Sequence, residues 1–133
     1  MMVVETSLPA EEPTLRIMTR PNDANIKGDI FGGWLMAQID IAGAAVAAVR
    51  AQGAVVTAAI KEMGFLAPLY IHDVVSFYAK LIKVGSTSLT IAVEVYAQRL
   101  LERGHRATYR VSEATLVYVA VEKPGVKRRV PEL

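Results

Sequence analysis

Hydrophobic positions along this 133-residue chain fall into one long block followed by several alternating ones. The block, residues 34–49 (WLMAQIDIAGAAVAAV), is apolar throughout except at Gln38 and Asp40. Its Ala, Leu, Met and Gln content favours helix, and Gln52-Gly53 supplies the expected stop. A helix that is apolar on nearly every side has to be enclosed. In a small domain, something must wrap it.

The segments that follow can do so. VVTAAIKEMGFLAP, DVVSFYAKLIKVG, STSLTIAVEVYAQRLL and HRATYRVSEATLVYVAVE are rich in β-branched and aromatic residues and are punctuated by Pro68, His72-Asp73, Gly85 and Gly104. In TSLTIAVEVYA, Leu89, Ile91, Val93 and Val95 take one side, while Ser88, Thr90, Glu94 and Tyr96 take the other. KVGSTS, residues 83–88, reads as a hairpin connection. In the last run Tyr109 and Val111 share one parity and Leu116 and Tyr118 the opposite one, which predicts a bulge near residues 112–114. Upstream, LRIMT predicts a short strand and PNDAN a turn. Residues 1–13, with acids and two prolines, read as a flexible leader, and 14–133 as a single domain without repeats or linkers. The elements sum to an α+β fold, a long central helix against a curved, mainly antiparallel sheet.

Composition adds a neighbour to this picture. The 53% hydrophobic content exceeds the ~45–50% of ordinary soluble domains, so apolar surface is expected to be buried between subunits. Net charge is only +2, without the basic face that grips nucleic acid. The absence of cysteine removes disulfide and thiolate chemistry and fits a reducing cytoplasm. His72 and His105 are isolated, without metal-ligand spacing, so structural or surface roles and no metal site are expected. The opening residues lack a secretory signal pattern. As a helix the apolar block is about 24 Å long, short of a ~30 Å hydrocarbon core. Its central Asp40 also argues against a membrane span.

That aspartate is the sharpest chemical feature. A carboxylate taken out of water costs several kcal/mol unless paired or hydrogen-bonded. Its helical neighbours Met36, Ala37, Gly43 and Ala44 offer no partner, so one has to come from another segment, another subunit or a substrate. Two readings stand: an acid facing solvent or bonded to a sheet edge, or a desolvated group that activates water or attacks a carbonyl. Gly32-Gly33 at the helix start is either a tight turn or a bare-amide oxyanion site at the positive end of the helix. Asp40 leans towards that end from about 10 Å away, too far for both to serve one carbonyl within one chain. The spacing points to a site shared between subunits. Asn25 is either a turn residue or a holder of a carbonyl or water. Lys83, Gly85, Ser86, Thr87 and Ser88, with Arg128 among the basic residues of KPGVKRR, are a plain hairpin and solvated tail or a grip for phosphate. GDIFGG matches neither nucleotide-binding glycine motif, and no nucleophilic-serine motif occurs.

The run N-x-x-GDIFGGWLM-x-Q-x-D, followed by VVT, M-x-FL-x-P, DVV and YVAV, closely resembles the YciA-like acyl-CoA thioesterases of the hotdog superfamily, from about Leu15 to Pro131. The resemblance implies a hotdog fold and a dimer whose two sheets join, commonly three such dimers forming a hexamer. It implies hydrolysis of acyl-CoA to CoA and a free acid, with coenzyme A as substrate and product and no further cofactor. By position it makes Asp40 the general base or nucleophile, Asn25 the residue positioning carbonyl or water, and the amide at Gly33, beside Gly32, the group polarising the thioester. It gives Lys83 to Ser88 and the basic tail to the nucleotide. Gly64 and Ala67 stand where relatives often carry a polar and a basic residue, and QRLLERGHRATYR also departs, which leaves acyl-chain preference open. Two rivals remain: a hotdog hydratase or dehydratase, which needs a histidine near the acid, and a non-catalytic acyl-CoA-binding regulator.

Overall fold

The computed structural model describes residues 3–133. Its elements run β1 (Glu5–Thr6), β2 (Leu15–Met18), α1 (Gly32–Ala51), β3 (Val55–Phe65), β4 (Val74–Val84), β5 (Ser88–Leu100), β6 (Arg106–Lys123) and β7 (Val126–Lys127). The strands form one antiparallel sheet ordered β1-β6-β5-β4-β2, with β3 and β7 also on β6. β6 is the spine, pairing with β5 over nearly its whole length and with β3 on its other side.

The strand alternation sets which face meets the helix. On β5, Leu89, Ile91, Val93 and Val95 are buried, and with Val75, Phe77, Leu116 and Tyr118 they receive the helix. The helix answers with Leu35, Ile39, Ala42, Gly43, Ala47 and Ala51, a stripe at three- and four-residue spacing. Each large aliphatic side chain buried there contributes ~1.5–3 kcal/mol. The helix stops where Gln52 turns left-handed (φ 56°) and donates its N–H to Val49.

The structure differs from the expectations at several points. Enclosure of the helix is met on one face only, because a single curved sheet covers one side; Met36, Ile41 and Val49 remain exposed. The helix is also longer than its apolar block, 20 residues, or about 30 Å. Length therefore does not argue against a membrane span; the face packed on the sheet and Asp40 are what set this helix apart. The bulge falls at Val111 rather than in 112–114: Val95 pairs with Ser112 and Tyr96 with Arg110, so Val111 is the extra residue and it and Ser112 are both buried. Within the stretch expected to be loose, Glu5 and Thr6 pair with Tyr109 and Thr108.

β3 is the unusual strand. It pairs with β6 on one side, most of its residues are exposed, and Val56, Ile60 and Phe65 show apolar side chains. Such an edge beside an uncovered apolar helix face is a template for further pairing.

Candidate active site

The start of α1 is built by the loop before it. Asn25 Oδ1 accepts hydrogen bonds from the backbone N–H groups of Lys27 (2.9 Å) and Asp29 (3.2 Å), and its own N–H donates to Asp29 O (2.7 Å). Gly28 completes the turn at φ 92°, a conformation that favours glycine. With the carbonyl side of the Asn25 amide holding the loop, its NH₂ is the group left to meet a ligand. Phe31 caps the helix without any side-chain hydrogen bond, and the N–H groups of Gly32 and Gly33 have no carbonyl one turn back. Asn25 and Gly32 share a cleft of about 430 Å³ with Ile30, Leu35, Phe65 and Leu69. A side chain on Gly32 would press on the Phe65 ring, whereas Gly33 faces open space.

The cleft wall is pinned from behind. Ile30 N–H donates to Leu69 O, and Asp29 bridges to Tyr70. Buried Asp73 accepts both guanidinium arms of Arg99, at 2.9 and 2.7 Å, as well as the Tyr70 N–H. Arg99 lies 4.5 Å over the Tyr70 ring and 5.1 Å from the centre of Tyr109. The hydrogen bond to Asp73 is the main cause that raises the Arg99 pKa.

Asp40 finds its partners on the sheet. Thr57 of β3 donates to Asp40 Oδ1 at 2.7 Å, and the Tyr118 hydroxyl of β6 lies 3.0 Å from the same oxygen and 2.8 Å from the Asp40 carbonyl. Burial, then the hydrogen bond to Asp40, pushes the Tyr118 phenol well above its ordinary range, so it stays a donor. Oδ2 accepts no hydrogen bond among the described residues. An aspartate bonded at a sheet edge is one of the two readings the sequence left open; the second oxygen, reachable from solvent and without a protein partner among the described residues, is available to a water or a carbonyl. Thr57 and Tyr118 were not singled out from sequence. The available signal was Gly43, one turn beyond Asp40, where any side chain would collide with the Tyr118 hydroxyl.

The chain thus brings Asn25 and Gly32 together and leaves Asp40 two turns down the helix, outside their cleft. Lys83 and the Gly85–Ser88 hairpin lie at the other end of the helix, tied to the C-terminal segment through Val130 N–H to Ser86 O and Arg50 to Pro131 O. Arg128, expected among the phosphate-binding residues, is engaged at the helix end. Its guanidinium donates to Ala51 O (2.7 Å) and Val121 O (3.2 Å), capping the negative end of α1. His72 sits exposed on a turn, and His105 meets Glu5 at 3.4 Å; neither touches Asp40.

A family model described as the Thioesterase superfamily matches residues 27–102. The acyl-CoA thioester hydrolase YciA of Salmonella typhimurium is 42% identical over 130 residues, covering 98% of this chain and 98% of that protein. A hexameric hotdog fold thioesterase of Campylobacter jejuni superposes with a TM-score of 0.87 at 40% identity over 91% of both chains. The hexameric thioesterase from Yersinia pestis gives 0.85 at 46% identity, over 94% of this chain and 100% of that one. A central helix on a seven-stranded antiparallel sheet is, in this chain too, the hotdog fold.

Proposed function

The chain belongs to the thioesterase superfamily, and from that premise we propose that it hydrolyses acyl-CoA to free CoA and a carboxylic acid at a site shared by two copies. Asp40 of one copy works with Asn25 and the Gly32 and Gly33 amides of the other. The observation that carries this reading is the Asp40 carboxylate, one oxygen held by Thr57 and Tyr118 and the other unsatisfied, beside the open β3 edge and the uncovered helix face. Two copies joined along β3 cover both surfaces. A trimer of such dimers fits the hexameric relatives, and the cytoplasm suits a cysteine-free enzyme.

In the reaction the thioester carbonyl sits at the bare amides, where the helix dipole and N–H groups stabilise the tetrahedral oxyanion. Asp40 either takes a proton from the attacking water or attacks the carbonyl carbon itself, giving a mixed anhydride that water then cleaves. In both routes the C–S bond breaks and the sulfur leaves as CoA. When two helices pair antiparallel, the C-terminal end of one approaches the glycine end of its neighbour. Lys83 and the Gly85-Ser86-Thr87-Ser88 turn of the Asp40-bearing copy then reach the CoA phosphates, with Arg128 holding the helix end beside them.

The test is thiol release over a panel of short to long acyl-CoAs, wild type against Asp40→Ala. We expect turnover by the wild type and a loss of at least ~10²-fold in kcat for the variant, with the oligomer unchanged. A wild type that binds acyl-CoA but never releases thiol would make the chain a binding protein. An Asp40→Ala enzyme as fast as wild type would remove Asp40 from the chemistry.

A further inference from the structure

Turnover by Asp40 requires its carboxylate to be held in one orientation, and its neighbours three and four residues away on the helix, Met36, Ala37, Gly43 and Ala44, supply no side chain to hold it. The Asp40 side of the sheet does. Thr57 and Tyr118 are directly opposed partners in the β3–β6 ladder, and both hydroxyls converge on Oδ1. They differ in permanence: Thr57 is exposed on an edge strand, next to a register irregularity, whereas Tyr118 is fully buried in the centre of the core. Its hydroxyl passes against Gly43, whose lack of a side chain opens the space it occupies.

We propose that Tyr118 is a positioning residue for the hydrolysis: through the gap at Gly43 its hydroxyl fixes the Asp40 carboxylate with Oδ2 turned to the substrate. The inference rests on the catalytic reading of Asp40. Tyr118 also contacts the Asp40 carbonyl, so it grips backbone and side chain of one residue at once. A single phenolic proton is shared between the two oxygens, and because the phenol resists ionisation, the grip persists across the working pH range. The groups facing Asp40 are Tyr118 from β6, Thr57 from β3, and on the helix Met36, Ala37, Gly43 and Ala44. Tyr118 is therefore the titratable one among them.

The experiment compares Tyr118→Phe, Gly43→Ala and the double variant with wild type, using acyl-CoA thiol release and thermal melting. Loss of a donor to a charged acceptor predicts a kcat lower by about ten- to hundredfold in Tyr118→Phe, with KM nearly unchanged. Gly43→Ala, which drives the hydroxyl away, reproduces the kcat loss, and adding it to Tyr118→Phe costs little more. A folded Tyr118→Phe protein with wild-type kcat, or one in which KM rises while kcat holds, would overturn the proposal. If Tyr118→Phe melts below the assay temperature, Gly43→Ala alone decides it: wild-type kcat in that variant overturns it equally. Asp40→Ala separates the two claims, since activity surviving there defeats the catalytic reading itself, while activity lost there but kept in the Tyr118 and Gly43 variants defeats only the positioning role.

Discussion

Asp40 and Asp73 are two acids treated in opposite ways by their surroundings. Asp73 is buried and fully answered, receiving both arms of Arg99 and the Tyr70 N–H. It holds the loop behind the cleft of Asn25 and Gly32. Asp40 is half-buried and half-answered, with one oxygen gripped and one left unsatisfied. A buried charge with its partners in place builds structure, and a carboxylate oxygen without a protein partner is available for chemistry. Removing Arg99 strands a carboxylate that is almost wholly out of water. Arg99→Ala is accordingly expected to lose about 3 kcal/mol of unfolding free energy, read as a lower midpoint in urea with an unchanged slope. A midpoint equal to wild type would mean that Asp73 is solvated in some other way.

Among the elements, α1 carries both Asp40 and the Gly32-Gly33 start that the proposed mechanism uses, and it is terminated imperfectly. Gln52 occupies the left-handed position that glycine normally fills. Gln52→Gly should therefore stabilise the protein by about 1 kcal/mol, measured by thermal melting; a lower melting temperature would show that the Gln52 side chain has a compensating contact. The helix, its glycine start and the β5 alternation were legible in the sequence because each depends on local propensity and period. The partners of Asp40 were not, since Thr57 and Tyr118 reach it only once β3 and β6 are in register, and register is a tertiary property. The backbone bonds of Arg128 were hidden for a related reason. A basic residue in a tail looks solvated until the fold sets the carbonyls of the helix end beside it. The shift of the bulge to Val111 has the same origin, as parity locates a slip only to within a few residues.

For the molecule as a whole, the proposed chemistry needs more than one chain. It leaves Met36, Ile41 and Val49 of the helix and Val56, Ile60 and Phe65 of the edge strand in water, and it separates the carboxylate from the bare amides by two helical turns. In the proposed function a second copy related by two-fold symmetry resolves both problems, because an isologous contact gives each subunit the half-site it lacks. The decisive measurement mixes two inactive proteins, Asp40→Ala and Asn25→Ala, after co-refolding or subunit exchange. In a mixed dimer one site receives both substitutions and the other neither. Random pairing therefore restores about a quarter of wild-type thiol-release activity, although each variant alone stays inactive. A mixture as inactive as its components, with mixed oligomers demonstrated by mass, would mean that Asp40 and Asn25 of the same chain serve one site, contrary to the shared arrangement.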